Sequence, residues 1–207
     1  MSGIEYFYSA HSTFAYLGSR RFMGIAAASG RKIVHKPYYL NRAIVGVGSV
    51  PTRERPQNHR AYYFRRQIDR WAEHREVPVM EGYPTEHWAN MTLANCMLIA
   101  AARADADANS LAHLMLQGHW RDNADLSDRD TLVALAWGVD VDPDPLLTAA
   151  ETPEINAVYE ANTDEAIERS VLGSPTYFVD GDMFYGQGHL ELVERALQRP
   201  YKPSNFD

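Results

Sequence analysis

Sheet-forming sequence lies at both ends of this chain, and a long helical stretch separates the two ends. Near the start, β-branched and aromatic residues at Ile4–Tyr8 indicate a buried strand, and a second strand is indicated at Lys32–Tyr38. Apolar residues between them recur at helical spacing, from about Ser12 to a stop at Gly30. A strand, helix, strand order favours a parallel pair of strands with a right-handed crossover.

The end of the chain predicts a tight hairpin and a final helix. Two aromatic-rich strands are indicated at Pro175–Val179 and Met183–Tyr185, and Asp180–Gly181 between them is typical of hairpin turns. Apolar residues at helical spacing follow at about His189–Gln198. The strands of the two ends are expected to join in space.

The middle of the chain predicts helices. Ser127 and Asp130 have the spacing of a capping box at one helix start, and Thr152–Pro153 indicates another helix, which runs to about Val171. Residues 41–55 are rich in Gly, Val and Pro without a clear period. We expect these residues to form a long connection, which is a candidate to fold over a site.

A β-α-β start and a β-β-α finish are the two halves of a thioredoxin-like core. We therefore predict an α/β fold in which residues 1–45 and 171–207 form this core, discontinuous in sequence, and residues 46–170 form a large all-helical insertion. The length of 207 residues suits one compact domain or a small core with a second lobe.

Composition and charge exclude several kinds of protein. Hydrophobic residues make up 45% of the chain and charged residues 23%, which indicates a folded globular protein. The net charge of -7 disfavours nucleic acid and anionic lipid as partners, so we expect a small-molecule ligand. The start lacks the pattern of a signal peptide, and no apolar stretch reaches about eighteen residues. These features predict a cytoplasmic protein with no membrane segment.

Thiol and metal chemistry have little support. Cys96 is the single cysteine, and its apolar helical surroundings favour an inert core thiol over a nucleophile. Residues 12–15, at the turn between the first strand and the first helix, contain no cysteine, which excludes a dithiol redox site there. Because His113 and His119 fall on different sides of a helix and no other zinc-like spacing occurs, we expect no metal.

Three motifs spread over nearly the whole chain carry a family resemblance. They are Ser12–Gly18 (STFAYLG), Arg60–Tyr63 (RAYY) with Asp69–Ala72 (DRWA), and Gly173–Gly181 (GSPTYFVDG) with Phe184–Gln187 (FYGQ). Together they resemble the motifs of 2-hydroxychromene-2-carboxylate isomerases and kappa-class glutathione transferases, which belong to the thioredoxin-like superfamily. The third motif is the most specific of the three.

The resemblance implies glutathione as the cofactor and Ser12 as the catalytic residue. A free thiol titrates near about 8.5, and a hydroxyl donor at the positive end of a helix favours the thiolate form. Ser174, before a cis Pro175, would exchange main-chain hydrogen bonds with the cysteinyl part of glutathione. A helix cap remains the alternative for Ser12, and a structural turn for Ser174 and Pro175. His11 is a candidate for exchanging protons at the same place, with a surface-loop position as the alternative.

Several positions depart from the family's pattern. Thr13 stands where the family has proline, Arg60 where it has lysine, and Gly188 and His189 where an Asp-Arg pair is common. In the family that Asp meets the γ-glutamyl end of glutathione, so Gly188 removes an ion-pair partner. Arg60, Gly188 and His189 are nevertheless the positions at which the resemblance implies cofactor contacts.

The substrate is expected to meet Arg60 and Asn90. Arg60 can bind a carboxylate bidentately, and Asn90 resembles an asparagine of the family's substrate loop. Helix capping is the alternative for Asn90. Other arginines of this region are interpreted as a solvated basic face, namely Arg53, Arg55, Arg65, Arg66, Arg70 and Arg75.

The resulting functional hypothesis is a glutathione-dependent isomerase of an aromatic or unsaturated carboxylate in aromatic catabolism. The thiolate would add reversibly to a conjugated carbon, allow rotation about the neighbouring bond, and then leave. The resemblance also implies a homodimer. Two alternatives stay open: a kappa-type glutathione transferase, and a binding protein of the same fold that has lost glutathione.

Overall fold

Four strands form one mixed sheet in the computed structural model, which describes residues 3–203. The strand order is β2-β1-β3-β4; β1 is parallel to β2 and antiparallel to β3, and β3 is antiparallel to β4. In this register Tyr6 of β1 lies between His35 and Tyr177. The strands are β1 (Ile4–Tyr8), β2 (Ile33–Pro37), β3 (Thr176–Val179) and β4 (Asp182–Tyr185).

Helices make up most of the remaining chain. A π-helical stretch, Arg60–Arg66, joins α3 to α4, and short 3₁₀ turns occur at Thr52–Glu54 and Gln187–His189. Among the described residues, no helix combines the length and apolar character that crossing a bilayer requires. The helices are α1 (Thr13–Ser29), α2 (Leu40–Gly46), α3 (Gln57–His59), α4 (Gln67–Arg75), α5 (Thr92–Arg103), α6 (Ala108–Asp122), α7 (Arg129–Trp137), α8 (Pro143–Ala150), α9 (Pro153–Glu168) and α10 (Leu190–Gln198).

The predicted fold class is confirmed: a β-α-β unit and a β-β-α unit enclose a helical insertion. The local signals behave as expected. Ser12 caps α1 by accepting a hydrogen bond from Ala15 N at 3.3 Å, and Gly30 ends the helix with φ of 67°. Asp180 and Gly181 both adopt positive φ in the hairpin turn. Helix caps, helix ends and tight turns, which depend on residues close together in sequence, could therefore be predicted.

Part of the predicted connection at residues 41–55 is helical instead. Helix α2 is only seven residues long, and its sequence contains Val and Gly, which are weak helix formers. Packing against α9 stabilises it, because a Cβ on Gly46 would lie 2.7 Å from the Ile167 side chain. Sequence periodicity does not reveal such a tertiary contact.

Two smaller predictions about the middle of the chain were wrong, and one helix was missed. Asp128, rather than Ser127, caps α7 by accepting a hydrogen bond from Thr131 N at 2.8 Å. Helix α9 ends at Glu168 and does not reach Val171. Helix α8 was not predicted, although Asp142 caps it and proline begins it.

In the described residues, the helical insertion and the sheet pack together in two buried clusters. The larger cluster contains Tyr6 and Tyr8 of β1 together with Met97, Leu111 and Leu147 from the helices. The smaller cluster joins β1 and β3 to α9. The boundaries at residues 45/46 and 170/171 stay a prediction, since no gap in the core marks them. The predicted core segments also include residues 1–2 and 204–207, which lie outside the described residues.

The three sequence motifs meet in space at the N-terminal half of α1. Gly18 of the first motif packs against the third, because a Cβ at Gly18 would lie 2.5 Å from Gln187 Cβ. A Cβ at Gly188 would lie 3.1 Å from the Trp71 ring of the second motif. Arg75 Nε also donates a hydrogen bond to Gln187 Oε1 at 3.3 Å. Close packing thus explains why small residues occur at these two positions.

Candidate active site

The N-terminus of α1 faces the loop before β3. The Ser174–Pro175 peptide bond is cis, as the resemblance implied. Ser12 Oγ donates a hydrogen bond to Ser174 O at 3.1 Å, and Ser9 N donates to Ser174 Oγ at 3.2 Å. Residues 162 positions apart in sequence are therefore in direct contact.

The first turn of α1 suits a bound anion. Its first amides have no acceptor within the helix, and no acidic side chain lies in this turn. Because a hydroxyl group rotates, the hydrogen that Ser12 now donates to Ser174 O can also serve an anion bound between the two serines. The N-terminus of α1, which has no cysteine, is thus suited to bind the thiolate of a ligand.

Two adjoining clefts open at this point. The first has a volume of about 80 Å³ and is lined by Ser12 and Ser174. The second, at about 340 Å³, is lined by Asn90 and lies within the range of small-molecule sites, about 300–1,000 Å³. Five residues line both clefts and make them one continuous site: His11, Leu40, Asn41, His87 and Trp88.

Cationic and aromatic side chains line these clefts. Arg53 lies over the Trp88 ring, 4.5 Å from its centre, and lines the second cleft. Arg55 lines the first cleft and donates a hydrogen bond from Nε to Val50 O at 2.9 Å. Trp88 is 40% exposed and Tyr83 is 43% exposed, so aromatic surface is open to a ligand. Residues 41–55 thus line parts of both clefts, and their position over a functional site stays a prediction. Interpreting Arg53 and Arg55 as a solvated face missed their place in the clefts.

Arg60 and Asn90 differ in position. Asn90 lines the second cleft, and its Oδ1 accepts a hydrogen bond from Thr92 N at 2.9 Å, so it also caps α5. Arg60 is exposed at the start of the π-helical stretch and does not line either cleft. Burial raises the pKa of Tyr83, and the positive charges of Arg60 and Arg65 oppose this rise. A cofactor or substrate contact of Arg60 stays a prediction.

Gly188 and His189 lie away from both clefts. Gly188 packs against Trp71, and the His189 ring Nδ1 contacts the carbonyl oxygen of Tyr185. The predicted cofactor contacts of Gly188 and His189 stay predictions.

Three histidines lie side by side at the clefts. The His87 ring centre is 5.2 Å from that of His11 and 5.4 Å from that of His119. Burial lowers the pKa of His11 to about 3 and that of His87 to about 2, and it also lowers the pKa of His119. The rings are therefore uncharged at neutral pH. His11 lies in a loop, is partly buried and lines both clefts. Sequence reasoning missed His87 because it lies 32 residues from His119.

The described part of the chain contains neither a group of side chains that could hold a metal ion nor a reactive cysteine. Between residues 3 and 203, no group of His, Cys, Asp and Glu side chains has an arrangement that could hold a metal ion. Cys96 is fully buried, as the core-thiol prediction required, and burial raises its pKa to about 11. This thiol is protonated at neutral pH and is not available as a nucleophile.

Asn95 fixes the loop that carries His11 and Ser12. Its Oδ1 accepts a hydrogen bond from Ala10 N at 2.9 Å, and its Nδ2 donates to Ser9 Oγ at 3.3 Å and to a backbone carbonyl of its own helix. The side chain is fully buried. In its absence Ala10 N would lose its hydrogen-bond partner inside the core, and Ser9 Oγ would keep only His11 Nδ1.

We expect Asn95→Leu to lower the free energy of unfolding by about 2–4 kcal/mol, because buried polar groups would be left without hydrogen bonds. Urea unfolding followed by tryptophan fluorescence measures the loss. Asn58→Leu is the matched control at an exposed position and should change stability by less than about 0.5 kcal/mol. Equal losses in the two variants would contradict the bracing role of Asn95.

Comparison with known proteins agrees with the sequence resemblance. A 2-hydroxychromene-2-carboxylate isomerase from Pseudomonas sp. (strain C18) is 27% identical over 198 residues, covering 94% of this chain and 89% of that protein. One from Sphingobium xenophagum is 24% identical over 196 residues, covering 94% of this chain and 97% of that protein. The solved structure of selenomethionine 2-hydroxychromene-2-carboxylate isomerase shares the fold, with a TM-score of 0.81 at 22% identity over 95% of this chain and 94% of that chain.

The match to a protein family covers nearly the whole chain. The family model of the DSBA-like thioredoxin domain matches residues 3–198. These residues include all four strands, the cis-proline loop and the N-terminus of α1. The chain therefore belongs to the family of DSBA-like thioredoxin domains.

Proposed function

We propose that this protein is a glutathione-dependent isomerase of an aromatic or unsaturated carboxylate, similar in activity to 2-hydroxychromene-2-carboxylate isomerases. The observation that carries the proposal is the contact between Ser12 Oγ and Ser174 O at 3.1 Å. This contact joins the N-terminus of α1, which suits an anion, to the cis-proline loop, and no cysteine lies in residues 12–15. The names of the curated relatives support the reaction class.

The residues around Ser12 suit the thiol end of glutathione. The small cleft of about 80 Å³ has room for a thiol group and little else. Ser174 offers main-chain groups to the cysteinyl part, and Ser12 with the first amides of α1 stabilises negative charge on sulfur. When bound, glutathione supplies a thiolate nucleophile that adds reversibly to a conjugated carbon and thereby permits bond rotation.

The larger cleft suits the substrate. Trp88 provides aromatic surface, and Arg53 places a positive charge above the Trp88 ring. Tyr83 adds aromatic surface from the adjoining smaller cleft. Asn90 uses Oδ1 to cap α5, which leaves its Nδ2 hydrogens as donors for an oxyanion. These residues orient a flat carboxylate beside the thiolate, which is the positioning that an addition reaction needs.

Arg53→Gln is expected to raise KM for a carboxylate substrate about 5- to 10-fold with little change in kcat, because the lost charge binds ground state and transition state alike. Steady-state kinetics measures both constants. Arg103→Gln is the matched control, since Arg103 is an exposed arginine of α5 that pairs with Glu154 and lines neither cleft. A KM unchanged by Arg53→Gln would remove Arg53 from the substrate site.

The proposed function is tested by assaying conversion of 2-hydroxychromene-2-carboxylate to its open-chain isomer with and without reduced glutathione. We expect turnover that depends on glutathione. Conversion of chlorodinitrobenzene without isomerisation would favour the transferase alternative, and absence of both activities together with absence of glutathione binding would favour the binding-protein alternative. We further propose that the protein acts in the cytoplasm as a homodimer, as the resemblance implies.

A further inference from the structure

The hydrogen bonds of two buried histidines fix where their protons lie. His119 Nδ1 is 3.0 Å from Ala124 O, which can only accept a hydrogen bond, so His119 carries its proton on Nδ1. In the neutral ring Nε2 of His119 is then bare. His87 Nδ1 lies 3.0 Å from that atom and must donate to it. Neutral His87 therefore has its proton on Nδ1 and a lone pair on Nε2.

The lone pair on His87 Nε2 is available to a ligand, because His87 lines the clefts. Within residues 3–203, His87 Nε2 has no hydrogen-bond partner, and it is not among the buried polar atoms that lack one. His87 lines both clefts, and most of the remaining ring is covered by Trp88 and Trp120. The relay from Ala124 through His119 thus holds a hydrogen-bond acceptor at the junction of the two clefts.

We propose that His87 Nε2 accepts the proton of a substrate hydroxyl group and returns it to the oxygen atom that leaves during isomerisation. This inference rests on the proposed function and adds a catalytic residue to it. A 2-hydroxychromene-2-carboxylate carries its hydroxyl group and its ring oxygen on the same carbon. Opening the ring breaks the bond from this carbon to the ring oxygen and forms a carbonyl from the hydroxyl group. The hydroxyl proton moves to the ring oxygen, so one base at one position balances the step.

The surroundings of His87 keep the acceptor unprotonated before substrate binds. His11 from the loop before α1, Arg53 from the 3₁₀ turn and His119 from α6 face the ring, Tyr83 lies 5.3 Å from it between ring centres, and Asp125 acts on His119. Burial is the main reason that the ring stays neutral. A substrate carboxylate brings negative charge next to the ring and makes it a stronger base.

The first test reads the proton positions directly. Long-range ¹H–¹⁵N correlation spectra of the ¹⁵N-labelled protein at neutral pH distinguish a protonated from a bare imidazole nitrogen. We expect His87 and His119 to carry the proton on Nδ1, and we expect His119→Phe to release His87 to the other tautomer. A proton on His87 Nε2 in the unmodified protein would overturn the proposal.

The second test measures catalysis. His87→Gln should lower kcat about 100-fold, because the proton transfer is lost, and should change the dissociation constant for glutathione far less. His119→Phe should also lower kcat, since it removes the group that orients His87. His113→Gln is the matched control: His113 is partly buried and bonded to Ser19 but lies outside both clefts. An unchanged kcat in a folded His87→Gln protein, shown by circular dichroism, would also overturn the proposal.

The two tests separate this inference from the proposed function. If the unmodified protein has no isomerase activity, the proposed function fails, and a substrate role of His87 fails with it. If the protein is active and His87→Gln is equally active, the function stands and only the role of His87 is lost.

Discussion

Replacing Ser12 by alanine is expected to lower kcat/KM of the isomerase reaction about 100-fold and to raise the thiol pKa of bound glutathione by about one unit. The hydroxyl group lies at the start of α1 and contacts Ser174 O, so it can donate to an anion bound between these residues. Its removal leaves only the helix amides to stabilise the thiolate. The absorbance of the thiolate, followed as a function of pH in the complex, measures the shift.

Loss of the helix cap must be separated from loss of the anion ligand. Ser12→Ala also removes the hydrogen bond to Ala15 N and should cost about 1 kcal/mol of stability. Asp107→Ala removes a comparable cap, since Asp107 accepts from Ser110 N at 3.0 Å, and its helix begins outside the clefts. We expect equal stability losses but a change of activity only in Ser12→Ala. An unchanged titration of the thiolate would mean that Ser12 does no more than cap its helix.

Mild acid is expected to destabilise the folded protein strongly. The pKa values of His11, His87 and His119 are lowered in the folded state, chiefly by burial, whereas the unfolded chain titrates near the ordinary value of 6.5. Below that pH the unfolded state binds protons that the folded state does not, so stability is complete above it and falls as the pH falls. Each histidine contributes up to about 1.4 kcal/mol per pH unit. His11 and His87 together would remove about 3 kcal/mol between about pH 6.5 and pH 5, a large part of the stability of many domains, and His119 acts in the same direction.

Urea unfolding at neutral pH and at about pH 5 measures this loss, and His119→Phe tests its origin. In that variant the slope of stability against pH should decrease by about a fifth, since His119 is one of five histidines whose pKa burial lowers, the others being His11, His35, His87 and His113. Glu5, whose pKa is lowered by Arg169 and Lys36, adds acid sensitivity only below its ordinary value of 4.5. A stability that stays constant down to pH 5 would show that the three rings are not buried in neutral form.

The elements of the fold could be predicted where neighbours along the chain determine them. The cap at Ser12, the stop at Gly30 and the turn at Asp180–Gly181 follow from residue type and backbone preference. Helix α2 could not be predicted in this way, because packing of Gly46 against Ile167 stabilises it. The shared core of sheet and insertion is likewise a property of contacts between distant residues.

Some residues of the candidate site could be predicted from sequence motifs, and others could not. Motif resemblance pointed to Ser12, Ser174 and the cis Pro175, and the structure brings these residues together. It gave no indication of Arg53 or of the histidine relay. Those residues are far apart in sequence, and His87 and His119 meet only because a turn before α5 packs against α6.

The central claim is that the start of α1 binds an external thiol and converts it to a thiolate. Isothermal titration calorimetry with reduced glutathione at neutral pH, repeated in two buffers of different ionisation enthalpy, measures both binding and proton release. The account predicts binding with release of close to one proton. For Ser12→Ala it predicts weaker binding and release of fewer protons. Absence of binding heat, or binding equally tight for S-methylglutathione with no proton released, would contradict it.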